Sequence, residues 1–282
     1  MPALFILLWS SGYIFVKLGL RDNQPLAFLS LRLAFSWLLL VPILLYQRPA
    51  FPTSWRQIKM IAMTALLLQG LYQIFFFAAL HEDVPPGILT IILGAQPLIT
   101  ALVMRESINA RQMGGLLVGL VGLTLVVSDT LMTGAITRLG VSYAFLSLGG
   151  ITFGTIFQKK YCSDVPLAAN LFIQYSISAV FVSTLWLLLE PSAVKWTANF
   201  AIALSWMVVV ISLSATFLFY KLLKNGKATN VTSYLYCVPP VTAVMDYYLF
   251  HHALSYTTVF GMAMVMVSLV LVHRLKNRGT EN

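Results

Sequence analysis

Gly12-Tyr13-Ile14-Phe15-Val16-Lys17 returns as Gly154-Thr155-Ile156-Phe157-Gln158-Lys159, 142 positions further along the chain. Outward from this pair, other matches follow in order. Pro25-Leu26-Ala27 recurs as Pro166-Leu167-Ala168 at an offset of 141. Gln96-Pro97-Leu98-Ile99-Thr100-Ala101 matches Pro239-Pro240-Val241-Thr242-Ala243 at about 143, and the Gly-rich run after Gly115 matches the run after Phe260 at about 145. One such match in an apolar sequence is chance. Four in order, at nearly half the length of a 282-residue chain, describe an internal duplication.

The solvent for this duplicated unit is lipid. Hydrophobic residues make up 59% of the chain and charged residues 10%. A soluble domain carries roughly 25% charged residues to solvate its surface. A hydrocarbon core about 30 Å thick takes about 20 apolar residues per helix. Charges, Gly and Pro cut the sequence into runs of about that length at 2–20, 26–46, 58–80, 86–104, 111–128, 140–158, 167–189, 200–223, 228–250 and 254–273. The breaks include Arg21-Asp22-Asn23-Gln24-Pro25, His81-Glu82-Asp83-Val84-Pro85-Pro86-Gly87 and Lys224-Asn225-Gly226-Lys227. The first run, Pro2 to Leu20, lacks a basic leader and a small-residue cleavage site and reads as a true span rather than a signal peptide. The expected fold is therefore an all-α integral membrane protein of ten transmembrane helices.

Basic residues orient it. Arg48, Arg56, Lys59, Arg105, Arg111, Lys159, Lys160, Lys221, Lys224, Lys227, Arg274, Lys276 and Arg278 fall on one side. Lys17, Arg21, Arg138 and Lys195 fall on the other. The positive-inside rule places the first side, and both termini, in the cytoplasm. The same rule explains a net charge of +9 without nucleic acid as a partner. Five helices per half is an odd number, so the second half enters the membrane upside down. The division expected is a first repeat over 1–128, a linker over 129–139, an inverted second repeat over 140–273 and a cytoplasmic tail over 274–282. Inverted repeats let one architecture adopt two related states, open inward and open outward, which is the symmetry alternating-access carriers use.

A family resemblance rests on Trp9-Ser10-Ser11-Gly12 in the first helix and Arg32 in the second, after Pro25. It continues through Ala79-Leu80 to Pro97, Glu106 and Gly115 to Gly122, and again from Leu222 through Pro239-Pro240 to the last helix. With these residues in this order the chain resembles the ten-helix drug/metabolite transporter superfamily, in its EamA-type branch of paired five-helix repeats. The resemblance implies a secondary transporter that exports amino acids and other metabolites. One departure is visible: the acidic residue after the fourth helix is Glu106, whereas its counterpart falls at His251-His252. A role needing acids at both places is not supplied.

Several residues are candidates for chemistry. Arg32 lies about 9 Å below the outer surface at 1.5 Å per residue. A charge there must face protein or water. It reads either as the partner of a substrate carboxylate or as a structural tie between helix ends, with Gln174 in the related place of the second half. Trp9, Ser10 and Tyr13 share one helical face, as do Tyr72, Gln73 and Phe76, and Phe153, Phe157 and Gln158. With Gln96 these form either the wall of a substrate cavity or helix–helix packing. Pro97 and the pair Pro239-Pro240 remove backbone donors inside spans and predict helix kinks near a central site. Asp246 is the acid deepest in a span and reads either as a proton-coupling group or as an interfacial hydrogen-bonded carboxylate.

There is no phosphate-binding loop, no Gly-x-Ser-x-Gly and no His-Glu-x-x-His, so catalysis, a cofactor and a metal are not expected. Cys162 and Cys237 should lie at different depths, so no disulfide is expected. The expected partners are a small-molecule substrate and the lipid bilayer of a bacterial inner membrane. A monomer is compatible with everything in the sequence. The orientation has a direct test: in intact cells, Thr53→Cys and Arg278→Cys should be protected from an impermeant thiol reagent. Labelling of both would reverse it.

Overall fold

The structure is a computed structural model. It describes every residue except 83, 85, 107–108, 129–136, 251–254 and 274–282, and the backbone alone at 86–87 and 246–250. Residues 129–136 of the expected linker, the tail, His251-His252 and the side chain of Asp246 therefore lie outside the described residues. Among the described residues the protein is helical and carries no strand.

In chain order the helices are α1 (Pro2–Gly19), α2 (Pro25–Gln47), α3 (Trp55–Ala65), α4 (Tyr72–His81), α5 (Pro86–Leu93), α6 (Gln96–Met104) and α7 (Ala110–Val126). There follow α8 (Arg138–Tyr161), α9 (Leu167–Leu189), α10 (Ala198–Trp206), α11 (Thr216–Asn225), α12 (Ala228–Ser233), α13 (Val238–Phe250) and α14 (Tyr256–His273). Two π-helical segments, Leu66–Leu71 and Met207–Ala215, join α3 to α4 and α10 to α11 without a loop. Among the described residues, seven continuous helices are long and apolar enough to cross a bilayer, including Trp55–His81 and Ala198–Asn225 through their π segments. The other apolar runs are shorter or interrupted. Ala110–Val126 is 17 residues long. The run from Pro86 to Met104 is interrupted by a turn at Gly94 and Ala95, just before Pro97. The run from Ala228 to Phe250 narrows to a 3-10 turn at Tyr234–Cys237, just before Pro239-Pro240. Each interruption sits where proline withholds a backbone donor from the helix.

The termini are fixed by local chemistry. Pro25 opens α2 at its first turn, where the missing donor costs nothing. Asn109 and Gln112 form a reciprocal capping box at the start of α7. Thr197 accepts from Phe200 N at the start of α10. Arg48 and Arg105 end α2 and α6 in the left-handed region, at φ 44° and 49°.

Helix packing follows a pattern of exchange. α2 lies against α9, and α7 against α14. α1 packs on α10, the second π segment and α13, while α8 packs on α3, the first π segment, α4 and α6. Small residues set the closest approaches. A Cβ on Gly261 would fall 2.6 Å from Gly122 O, so α7 and α14 meet backbone to backbone. A Cβ on Gly150 would fall 2.5 Å from Tyr72 N, which places α8 directly behind the start of α4.

That last contact generates a matched pair of variants. Gly150→Val should destabilise the purified protein by about 1–3 kcal/mol, the usual cost of overpacking. Gly149→Val, where an added Cβ meets nothing within 4 Å, should leave thermal unfolding unchanged. Equal melting temperatures for the two variants would contradict the packing described.

Candidate functional site

The first halves of both sequence repeats meet at a central cavity of about 50 Å3. α1 contributes Trp9 and Tyr13, α2 contributes Arg32, and the first π segment with α4 contributes Gln69, Tyr72, Gln73 and Phe76. Opposite them stand Ile151 from α8, Met207 and Ile211 from the second π segment, and Thr216, Phe219 and Tyr220 from α11. A π-helical turn widens the helix by one residue and rotates the side chains that follow. The two π segments therefore set how Tyr72 and Gln73, and their opposites Thr216 and Phe219, face the cavity.

Arg32 dominates the electrostatics. It is 4% exposed, yet among the described residues no carboxylate pairs with it. Its Nε donates to Ser212 Oγ at 2.8 Å and its Nη1 to Gln73 Oε1 at 2.7 Å. Gln73 Nε2 in turn donates to Gln69 Oε1. Dipoles thus hold the guanidinium in place without neutralising it, and among the described residues Nη2 makes no hydrogen bond. A second polar chain starts from the same wall. Tyr220 donates to Gln174 Oε1 at 2.6 Å. Gln174 Nε2 donates to Gln158 Oε1 and to Asn170 Oδ1, each at 2.9 Å. Tyr175 donates to Ser212 O at 2.5 Å and so fixes the π segment that supports Arg32.

Aromatic rings form the rest of the wall. Tyr13 meets Phe76 edge-on at 5.3 Å, Trp9 meets Phe219 at 5.6 Å, and Phe5 stacks behind both Trp9 and Phe219. The cavity has room for a few water molecules, so a substrate enters by widening it.

Of the residues singled out in the sequence, Trp9, Tyr13, Arg32, Tyr72, Gln73 and Phe76 are brought together at this wall. Gln158 and Gln174 lie one hydrogen bond behind it, through Tyr220. Ser10 donates to Ile6 O within its own helix. Gln96 is buried, does not line the cavity and donates to Thr155 Oγ1 at 3.1 Å. Phe157 packs on Tyr161. Phe153 is 46% exposed on the outer face of α8. Pro97, Pro239 and Pro240 follow the two helix interruptions. Asp246 lies in α13, and its side chain is outside the described residues. Among the described residues, no group of His, Cys, Asp and Glu side chains gathers as metal ligands.

Sequence reasoning passed over Gln69, Thr216, Phe219 and Tyr220. Their signal is the repeat itself. Leu68 and Ile211, Gln73 and Thr216, Phe76 and Phe219, and Phe77 and Tyr220 each stand 143 positions apart, and all line the cavity.

Comparisons with known proteins agree with this architecture. The EamA-like transporter family matches residues 3–128 and again 138–274. The chain is 26% identical to the uncharacterized transporter YvbV of Bacillus subtilis (strain 168), over 96% of this chain and 90% of that protein. It is 23% identical to the uncharacterized inner membrane transporter YedA of Escherichia coli (strain K12), over 96% of this chain and 88% of that protein. It is 24% identical to a probable amino-acid metabolite efflux pump of the same strain, over 57% of this chain and 52% of that protein. A solved crystal structure superimposes with a TM-score of 0.81 at 16% identity, covering 97% of this chain and 95% of its own, which is a likeness of fold. A helical membrane protein matched by one family along both halves, the chain belongs to the EamA-like transporter family.

Proposed function

We propose that this transporter is a secondary carrier that exports small carboxylate-bearing metabolites, amino acids among them, across a bacterial inner membrane. It works by alternating access through the central cavity between two inverted five-helix repeats, over 1–128 and 140–273, with ten spans and both termini cytoplasmic. The observation that carries the reading is Arg32, a buried cation without a carboxylate partner at the wall of a central, aromatic cavity. A charge at membrane depth marks a substrate path, and a guanidinium suits a carboxylate. The names of the relatives from Escherichia coli support the membrane and the amino-acid class.

Three features support the repeat, and the odd number of spans per half makes it inverted. Exchanging the halves converts the packing of α1 on the second π segment into that of α8 on the first. It also returns the α2–α9 and α7–α14 pairs to themselves. The π segments and the interrupted runs then fall on one another.

The outer face is tied shut. Asn23 Nδ2 donates to Lys195 O at 3.0 Å, and Lys195 N donates back to Asn23 Oδ1 at 2.9 Å. Leu26 N donates to Glu190 at 2.9 Å, and Thr197 donates to Asp22. These bonds join the loop before α2 to the loop before α10, one from each repeat, so outward opening must break them. On the other face Glu106 accepts from Ala228 N and Thr229 N at 2.9 and 3.2 Å, joining α6 to the start of α12.

Two measurements test the proposal. In proteoliposomes the carrier should show saturable counterflow of carboxylate metabolites, where a channel would show none. Arg32→Gln should lower apparent affinity about ten- to a hundred-fold, the equivalent of a charge-assisted pair of about 1.5–3 kcal/mol. An amide-capped analogue should change far less. Uniform loss for all substrates with a lowered melting temperature would make Arg32 a structural tie instead. Asn23→Ala removes both bonds to Lys195, worth about 0.5–1.5 kcal/mol each. It should raise labelling of Tyr13→Cys from outside about tenfold, and unchanged labelling would remove the latch from the mechanism.

A further inference from the structure

We infer that the cavity selects substrates of net negative charge: a monocarboxylate with a flat apolar body and no ammonium, in preference to the amino acid of the same skeleton. The inference rests on the carrier reading above and sharpens its substrate class.

Charge balance is the first ground. Arg32 brings a full positive charge to the cavity wall, and among the described residues no Asp or Glu lines that wall. Three of the described carboxylates are committed elsewhere, and Glu82 and Asp164 do not line the wall either. Asp22 and Glu190 hold the outer latch, and Glu106 accepts from the backbone at the start of α12. A carboxylate on Arg32 leaves the loaded cavity neutral. A zwitterion adds an ammonium with no counter-charge among the described residues, within the same low-dielectric space as the guanidinium, where like charges repel strongly.

Hydrogen-bond polarity is the second. The amide oxygens at and behind the wall each already accept one bond, which leaves a single lone pair apiece: Gln73 Oε1 from Arg32, Gln69 Oε1 from Gln73, and Gln174 Oε1, behind the wall, from Tyr220. Three lining residues keep an uncommitted donor: Arg32 Nη2 and the hydroxyls of Tyr13 and Tyr72 make no hydrogen bond among the described residues. Donors converging on one space recognise an anion.

The rings are the third. An aromatic wall can also hold an ammonium by cation–π attraction if a ring face is open to it. Here the rings turn toward one another: Trp9 against Phe5 and Phe219, and Phe76 against both Tyr13 and Tyr72. Their remaining surface is an apolar slot suited to a flat hydrocarbon body.

The test uses the intact protein in nanodiscs, where passive leak of a weak acid does not enter. Binding of 3-phenylpropionate, L-phenylalanine, phenethylamine and 3-phenylpropanamide is measured by calorimetry at neutral pH. The expected order is 3-phenylpropionate at least tenfold tighter than L-phenylalanine, with no binding of phenethylamine. Arg32→Gln should weaken 3-phenylpropionate at least tenfold and leave 3-phenylpropanamide unchanged. L-Phenylalanine binding as tightly as 3-phenylpropionate, or tighter, would overturn the inference. If Asp246→Asn then abolished that advantage, the ammonium site would be located there. Absence of binding by all four ligands would overturn it as well. The carrier reading is judged separately, by saturable counterflow in proteoliposomes: counterflow of L-phenylalanine with no preference for the deamino acid refutes this inference and leaves the carrier intact.

Discussion

A guanidinium inside a bilayer has to be solvated by the protein, and the arrangement around Arg32 is how this protein does it. Ser212 and Gln73 come from different repeats, so the bonds to Arg32 join the two halves at the depth of the cavity. Gln73 is then oriented by Gln69, and the Ser212 segment is held by Tyr175. Removing any of these leaves a buried donor or acceptor without its partner. The network supplies no counter-charge among the described residues, and the proposed recognition of an anion rests on that.

The same constraint gives meaning to the irregular helices. Gln69 and Ser212 both lie inside π-helical segments, at related places in the two halves. Wider turns there allow α4 and α11 to present Gln73 and Thr216, Phe76 and Phe219, to one space from opposite sides. Glycine at position 150 lets α8 approach the backbone of Tyr72, and Ser147 Oγ donates to Tyr72 O at 3.0 Å. The ring that carries one free hydroxyl is thereby fixed from behind. The two helix interruptions lie away from the wall and provide bending points in the shorter runs. Asn23 and Lys195 tie the loop before α2 to the loop before α10.

Much of this was legible in the residues. The ends of the helices fall within a few positions of the sequence boundaries because proline, glycine and charge mark them: Pro25, Pro86, Asn109, Leu167 and Ala198 all start elements close to where polarity changes. Arg32, Tyr72, Gln73 and Phe76 were visible because polar and aromatic groups on one helical face have no reason to meet lipid. The cue is weaker for phenylalanine alone, which lipid accepts readily; Phe153 accordingly points outward from α8. Tyr220 and Phe219 escaped notice because α11 reads as an ordinary apolar helix until the repeat offset is applied to Phe76 and Phe77. The π segments have no residue signature. A shift of hydrogen-bond register costs little locally and is decided by packing, which single-sequence patterns do not contain.

The central claim is that the third nitrogen of Arg32 is reserved for a substrate carboxylate. It is tested most directly by a structure of the protein with a carboxylate ligand bound. The account predicts a carboxylate oxygen within about 3 Å of Arg32 Nη2, with the bonds from Nε to Ser212 and from Nη1 to Gln73 retained and the ligand body between Tyr13, Phe76 and Phe219. A ligand bound with its carboxylate elsewhere, while Nη2 turns to a protein acceptor, would contradict it.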